Sequence, residues 1–334
     1  MESEDIITLD YGSGGKKTSR LIENMIVPAW DNPALRELGD GAVIKGGEQL
    51  CFSTDSFVVN PLFFPGGDIG KLSVCGTVND VSMCGGKPLY LSCAFIIEEG
   101  MKLSDLEKII ASIKSEAEKT GVQIVTGDTK VVEKGRGDGI YINTAGIGIL
   151  KYPGLSPRNI KDGDAVIVSG TVGDHGTAVM LSRSGMMEGD IKSDCTPLNG
   201  LCEKILSLDA GIRVLRDPTR GGLATTLNEF IESGELGIEI DEKLIPVAPQ
   251  VQAACDMLGL DPLYCANEGK LIAVVPAENA EKVLKAMREC PEGRNAAVIG
   301  SVSKKYPGRL VMKTALGGGR ILQKLTGAQL PRIC

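Results

Sequence analysis

Glycine sets the terms on which this chain can fold. Its 43 glycines gather in short clusters between apolar segments, at nearly twice the usual share of roughly 7%. Such punctuation demands short elements joined by tight turns and close backbone approaches. Hydrophobic residues reach 43% but aromatic ones only 4%, so the cores between the turns are aliphatic and alanine-rich. A chain of 334 residues suits two domains of ordinary size.

The boundary falls at 151–164, "KYPGLSPRNIKDGD", where prolines and glycines interrupt any apolar period. The apolar spacing predicts helices over 69–84, 103–120, 175–184, 221–233 and 278–289. It predicts strands over 88–97, 122–133 and 139–150, and at "DAVIVSG", "GIEID", "KLIAVVP", "NAAVIGSVS" and "RLVMK". Two strand-like runs, around "AVIKGG" and "LCFSTDSFVV", fill 42–59. The expected fold is therefore α/β (α+β), with mixed sheets and helices on one face. It divides into a glycine-rich lid segment (1–33), an N-terminal domain (34–152), a C-terminal domain (153–314) and a mobile tail (315–334). "GIGILKYPG" near the end of the first domain is echoed by "VIGSVSKKYPG" near the end of the second, which hints at similar layouts. Extended, the segment from Gly319 to Cys334 reaches roughly 50 Å.

Composition excludes several function classes. The net charge is −7 and no basic run stands out, which argues against nucleic acid as a partner. No stretch approaches the length of a membrane span, and the acidic start "MESEDIITLD" has no apolar signal region. Ten cysteines occur without a C-x-x-C motif and with one histidine, His175, so reduced thiols are expected rather than disulfides or structural zinc. This points to the cytoplasm. Most cysteines sit in apolar runs, but Cys334 ends the chain in "QLPRIC".

Four aspartates stand at strand ends or turns among small residues: Asp40 in "GDGA", Asp55 in "STDS", Asp80 in "VNDV" and Asp128 in "TGDT". Aspartate favours turns in any protein. Four such sites in one half, if they converge, would share cations, and hard oxygen donors suit Mg²⁺ and a nucleoside triphosphate. "GSGGKK" (12–17) lacks the P-loop pattern. Its glycines, Gly14 and Gly15, and Lys16 could still close over phosphates. "SGTVGDHG" (169–176) is a second glycine-rich turn leading into a helix; here His175 reads as a turn or capping residue rather than a catalyst. "RDPTRGG" places Asp217 and Arg220 in a turn with Thr219 as a plausible N-cap. "ANEGK" sets Glu268 in a turn where a carboxylate could serve as general base.

Taken in order, "GDGA", "STD", "VND", "TGDT", "GDHG", "DPTRGG" and "NEG" resemble the ATP-binding superfamily of aminoimidazole ribonucleotide synthetase. With "YGSGG" in front and "LPRIC" at the end, the resemblance narrows to the HypE family of hydrogenase-maturation carbamoyl dehydratases. It covers essentially the whole chain. It implies two α/β domains, with N-terminal domains paired in a homodimer and ATP in a cleft that includes the dimer interface. The implied reaction is ATP-dependent dehydration of a carboxamide on the C-terminal cysteine to a thiocyanate, supplying cyanide for the iron of a [NiFe]-hydrogenase. The implied partners are the HypF carbamoyltransferase and the HypC–HypD complex. Cys334 would carry the substrate, and Glu268 and Lys130 would act on it. Asp40, Asp55, Asp80 and Asp128 would hold Mg²⁺ and phosphate. The other motif positions, Asn79, Thr126, Gly127, Asp174, His175, Asp217, Arg220 and Asn267 with Gly14, Gly15 and Lys16, would line the nucleotide. Two alternatives share these motifs: a synthetase or kinase acting on a free small molecule, and a non-catalytic assembly factor gated by ATP. The absence of a cysteine from the N-terminal glycine loop speaks against a selenophosphate synthetase.

Overall fold

The computed structural model describes residues 6–12, 16–36, 42, 44–185 and 191–324. The first domain is built on β1 (Leu50–Phe57), a small hairpin of β2 (Phe63–Phe64) and β3 (Gly67–Asp68), and then β4 (Gly86–Glu98), β5 (Gln123–Val132) and β6 (Ile140–Leu150). The main sheet has the order β1-β6-β4-β5. Only β4 and β5 run parallel in it. The run at "AVIKGG" contributes no strand among its described residues.

Helices cover one face of this sheet. They are α1 (Lys16–Leu21), which runs through a π turn into α2 (Val27–Trp30), then α3 (Pro33–Arg36), α4 (Ile69–Met83) and α5 (Leu103–Thr120). Asp68 starts α4 because its carboxylate accepts the free amides of Gly70 (2.7 Å) and Lys71 (3.1 Å). The α4 sequence is small and apolar all round, and it is buried on nearly every side. Helix α5 is amphipathic, burying Leu106, Ile109, Ile110 and Ile113, and it stops at Gly121 in the left-handed conformation. Leu21, Ile26, Trp30 and Leu35 join the same core. The described part of the expected lid segment, from residue 16 onward, is thus packed into the first domain.

The second domain comprises β7 (Ala165–Val168), α6 (Asp174–Ser184), α7 (Asn199–Leu206), β8 (Val214–Arg216), α8 (Gly222–Phe230), β9 (Gly237–Asp241), α9 (Pro249–Leu258), β10 (Ile272–Val275), α10 (Ala280–Arg288), β11 (Ala297–Ser303), β12 (Leu310–Lys313) and β13 (Gly319–Leu322). Its sheet order is β13-β12-β9-β11-β7-β10-β8, with β12 and β9 parallel. Here helices lie on both faces rather than one. Central strands β7 and β10 are apolar at every position, so both their faces need cover. Val166, Val168, Ile272 and Val274 pack with Leu223 and Leu227 of α8. Ala165, Ile167, Ala273 and Val275 pack with residues of α7 and α10. Strand β13 places the first part of the expected tail on the sheet edge. Beyond it, Tyr264 donates from its hydroxyl to the Gln323 carbonyl (2.9 Å).

The echoed tyrosines serve the same packing in both halves. A Cβ on Gly85 would lie 2.1 Å from the Tyr152 carbonyl, and one on Gly237 would lie 1.9 Å from that of Tyr306. Between the domains, Asn79 on α4 acts as a clamp. It accepts from the Leu198 amide (2.7 Å) and donates to the carbonyls of Thr196 (3.2 Å) and Glu268 (3.4 Å). Ser193 donates its backbone amide to the Pro65 carbonyl (2.8 Å). Asn79→Ala strands the buried Leu198 amide, so it should lower stability by about 1–3 kcal/mol, measured by denaturant unfolding of the full chain.

Candidate active site at the domain junction

Four carboxylates face one another where β1 and α4 of the first domain meet two turns of the second. Asp55 lies on β1 and Asp80 one helical turn beyond Gly76 of α4, where a Cβ would lie 2.8 Å from the Phe57 ring of β1. Asp217 follows β8, and Glu268 stands in the turn before β10. Ser53 donates to Asp80 Oδ2 (2.7 Å). Arg220 lies 4.0 Å from Asp55 Oδ1 and is otherwise largely exposed. Arg216, on β8, adds positive charge toward both Asp80 and Asp217.

The negative charges are crowded and partly dry. Burial pushes the Asp80 carboxyl up, with the Asp55 charge adding to it and Ser53 opposing. Burial and the Asp80 charge push Asp217 up to about 7. Glu268 is 5% exposed, and burial lifts it well above the usual carboxylate range, helped by Cys195, Asp217, Asp194 and Asp55. A carboxyl held up in this way binds a proton more readily than a free one, as a general base must.

Asp128 and Lys130 sit elsewhere on the same chain. Asp55, Thr144, Cys93 and Gly127 form one row across the sheet. The row places β5 three strand spacings, roughly 14 Å, from β1. Asp128 and Lys130 pair with Ala94 and Ile96, which alternate with buried Cys93 and Phe95 on β4, so they face the side that no described helix covers. That face also exposes Phe52 (67%) and Ile96 (45%). Gly127 is required for the close approach of β5 to β4, since a Cβ there would lie 2.2 Å from the Cys93 carbonyl. Neighbouring Thr126 is half-buried beside the bulge where β4 and β5 shift register.

Other candidates hold the turns in place. Asn267 is fully buried. It accepts from the Gly173 amide (2.7 Å) and donates to the carbonyls of Pro218 (3.0 Å) and Cys265 (3.1 Å), tying three loops together. Asp174 opens α6, accepts from the Thr171 hydroxyl and lies 4.0 Å from Lys270 Nζ. His175 is wholly buried, paired through Nδ1 with Ser193 (2.8 Å) and set edge-on to Phe64. Burial holds its imidazole down at about 4, so it is a neutral core residue with no surface for a nucleotide. Neither His175 nor Thr219 caps a helix: Gly173 and Gly221, both left-handed, occupy those N-cap positions. Gly14, Gly15, Asp40, Cys334 and the side chain of Lys16 lie outside the described residues.

Among the described residues, no three acidic, histidine or cysteine side chains converge closely enough to cage a metal ion. Asp55 and Asp80 form a pair of hard oxygen donors, which suits Mg²⁺ bound mainly through water and phosphate oxygens. Motif reading passed over Ser53, Arg216 and Asp194. Asp194, in "KSDC", binds the Glu268 turn, and nothing in its flanking residues announces that. Asp217→Asn should raise the melting temperature of the ligand-free protein, and more at pH 8 than at pH 5. The native carboxyl resists ionisation, so the strain grows as pH rises from 3.8 toward about 7; thermal melts across that range check it.

The chain matches two family models, AIR synthase related protein, N-terminal domain, over residues 38–150, and AIR synthase related protein, C-terminal domain, over residues 161–313. The carbamoyl dehydratase HypE of Cupriavidus necator is 49% identical over 98% of this chain and 95% of its own. That of Rhizobium leguminosarum is 50% identical with the same coverage. A crystal structure of the hydrogenase maturation protein HypE in complex with ATP superposes with a TM-score of 0.94 at 50% identity, covering 98% of this chain and 99% of that one. HypE from a crystal structure of the HypE–HypF complex gives 0.80 at 48% identity, covering 91% and 99%. A thiamine monophosphate kinase from Aquifex aeolicus shares the fold at 19% identity, with a TM-score of 0.61.

Proposed function

The chain belongs to the AIR synthase related family and, within it, to the HypE carbamoyl dehydratases, and from this we infer that its chemistry runs at the junction of its two domains. It is an ATP-dependent carbamoyl dehydratase of hydrogenase maturation. The substrate is the S-carboxamide on its own Cys334, and the product is the thiocyanate. The observation that carries this placement is a buried, hard-to-ionise Glu268 beside a cluster of carboxylates.

An amide oxygen leaves poorly. ATP, as co-substrate, supplies the γ-phosphoryl group that converts it into departing phosphate. Phosphoryl transfer mostly needs positioning and charge neutralisation. Asp55 and Asp80 would hold Mg²⁺, which would offset the charge of the triphosphate, and Asp40 belongs with them by motif. Arg216 and Arg220 bring fixed positive charge to the same edge. Glu268 takes the amide protons as the carbon–nitrogen triple bond forms, and its buried turn excludes water from the intermediate. Lys130 stabilises the developing oxyanion.

Lys130 and Asp128 lie across the sheet from Asp55 in one chain, on a face that exposes Phe52 and Ile96. A homodimer pairing these faces would cover that apolar surface and bring Lys130 of one subunit toward the carboxylates of the other. The relative solved with HypF supports a HypF partner as the carbamoyl donor. The HypC–HypD complex is then the acceptor of cyanide. All nine described cysteines are free, as suits a reducing, cytoplasmic setting.

Two experiments test this. Full chain carbamoylated at Cys334 and given ATP should lose one water from its C-terminal peptide by mass spectrometry. Glu268→Gln should stay carbamoylated while still binding ATP. Asp80→Asn and Lys130→Ala chains, each inactive alone, should regain activity when mixed and allowed to exchange subunits, since a heterodimer keeps one intact site. No recovery on exchange would place Lys130 and Asp80 in the same subunit's site.

A further inference from the structure

Asp194 plays no part in the chemistry above, yet its side chain is only 3% exposed and three consecutive residues of one turn bind it. Oδ1 accepts the Glu268 amide (3.1 Å), and Oδ2 accepts the Gly269 amide (3.2 Å) and Lys270 Nζ (3.1 Å). The contact is tight: a Cβ on Gly269 would lie 1.8 Å from the Asp194 carbonyl. Lys270 reaches it by passing over Gly170, where a Cβ would meet the lysine Cε at 2.8 Å.

The segment carrying Asp194 is itself held from both domains. Ser193 donates its amide to Pro65 of the first domain (2.8 Å). Its hydroxyl accepts the Cys195 amide (3.0 Å) and pairs with the buried His175. The Thr196 carbonyl accepts from Asn79. A carboxylate fixed so firmly, spending both oxygens on one turn, determines where that turn stands.

We propose that Asp194, with Lys270 as its counter-charge, is a positioning residue for the dehydration: it fixes the turn that presents Glu268 and sets the charge Glu268 feels. This rests on the reading of Glu268 as the base. Burial acts most on Glu268, and the charges acting with it are Cys195, Asp217, Asp194 and Asp55; Lys270 pairs with Asp194 (3.1 Å) and lies 4.0 Å from Asp174. Removing the Asp194 charge makes Glu268 easier to ionise. Removing the Lys270 charge leaves Asp194 uncompensated and makes it harder.

The test is single-turnover dehydration of the full chain, carbamoylated at Cys334, followed by mass spectrometry across pH with ATP affinity measured in parallel. Asp194→Asn should slow the step roughly ten- to a hundredfold with ATP affinity within about twofold, and shift the acid limb of the rate to lower pH. Lys270→Gln should shift that limb to higher pH. Opposite shifts support the proposal; a limb unmoved in both variants, or moved the same way in both, overturns it. If Asp194→Asn fails to fold, Lys270→Gln alone decides by the direction of its shift. Glu268→Gln separates the two claims: a chain that still dehydrates removes the base assignment, whatever Asp194→Asn does.

Discussion

Buried negative charge is the constraint on which the junction depends. Burial disfavours the charged forms of Asp80, Asp217 and Glu268, and their proximity to one another opposes the closure of the two domains. The neutral Asn79 side chain, which bridges the two domains, counters that opposition. Asn79 and Asn267 each engage three partners, drawn from segments of the second domain, which satisfies buried backbone groups at the seam. The clamps therefore tolerate an electrostatic cost that a looser junction would relieve by opening. The same cost is what raises Glu268 and Asp217, so the strain and the raised carboxyls have one physical origin.

The sheet of the first domain then divides the chemistry. Its α4 face meets the second domain and carries Asp55. Its other face, without helices, carries Asp128 and Lys130 among exposed Phe52 and Ile96. One polypeptide cannot bring these two sets onto a single phosphate chain without bending the sheet. The homodimer proposed above would pair two first domains and cover the apolar face with one contact. Dimerisation in this reading completes the site as well as stabilising it.

The fold was largely legible because periodicity reports burial. Helices α5 and α10, with one apolar stripe each, and the uniformly apolar β7 and β10 stand where the spacing places them. Helices α7 and α9 escaped because each is short and sits among prolines and glycines, and β8 because three residues carry no period. The face count of the second sheet was missed for a related reason. "AVIV" and "IAVV" announce two buried faces, but alternation elsewhere in the chain suggested one. At the site, motif aspartates and Glu268 stand out as polar residues among small ones. His175 was misleading because a glycine-rich turn also suits a buried aromatic. Asp194 was invisible because its role depends on backbone amides 74 residues and more away, and amides have no sequence signature.

The anchoring of the last described residues bears on how Cys334 could reach the junction. The chain is fixed to the sheet through β13 and then to Tyr264 by the Gln323 carbonyl. Tyr264 precedes Glu268 by four residues, so their Cα atoms lie within roughly 14 Å of each other. The last described residues are thus tied to the segment that carries Glu268. Extended, the chain from Leu322 to Cys334 spans at most roughly 43 Å, several times that separation. A carrier rooted beside its own active site needs only a bend to enter and full extension to leave. A freely hinged tail beginning near residue 315 would have given longer reach but would have cost more entropy to bring back.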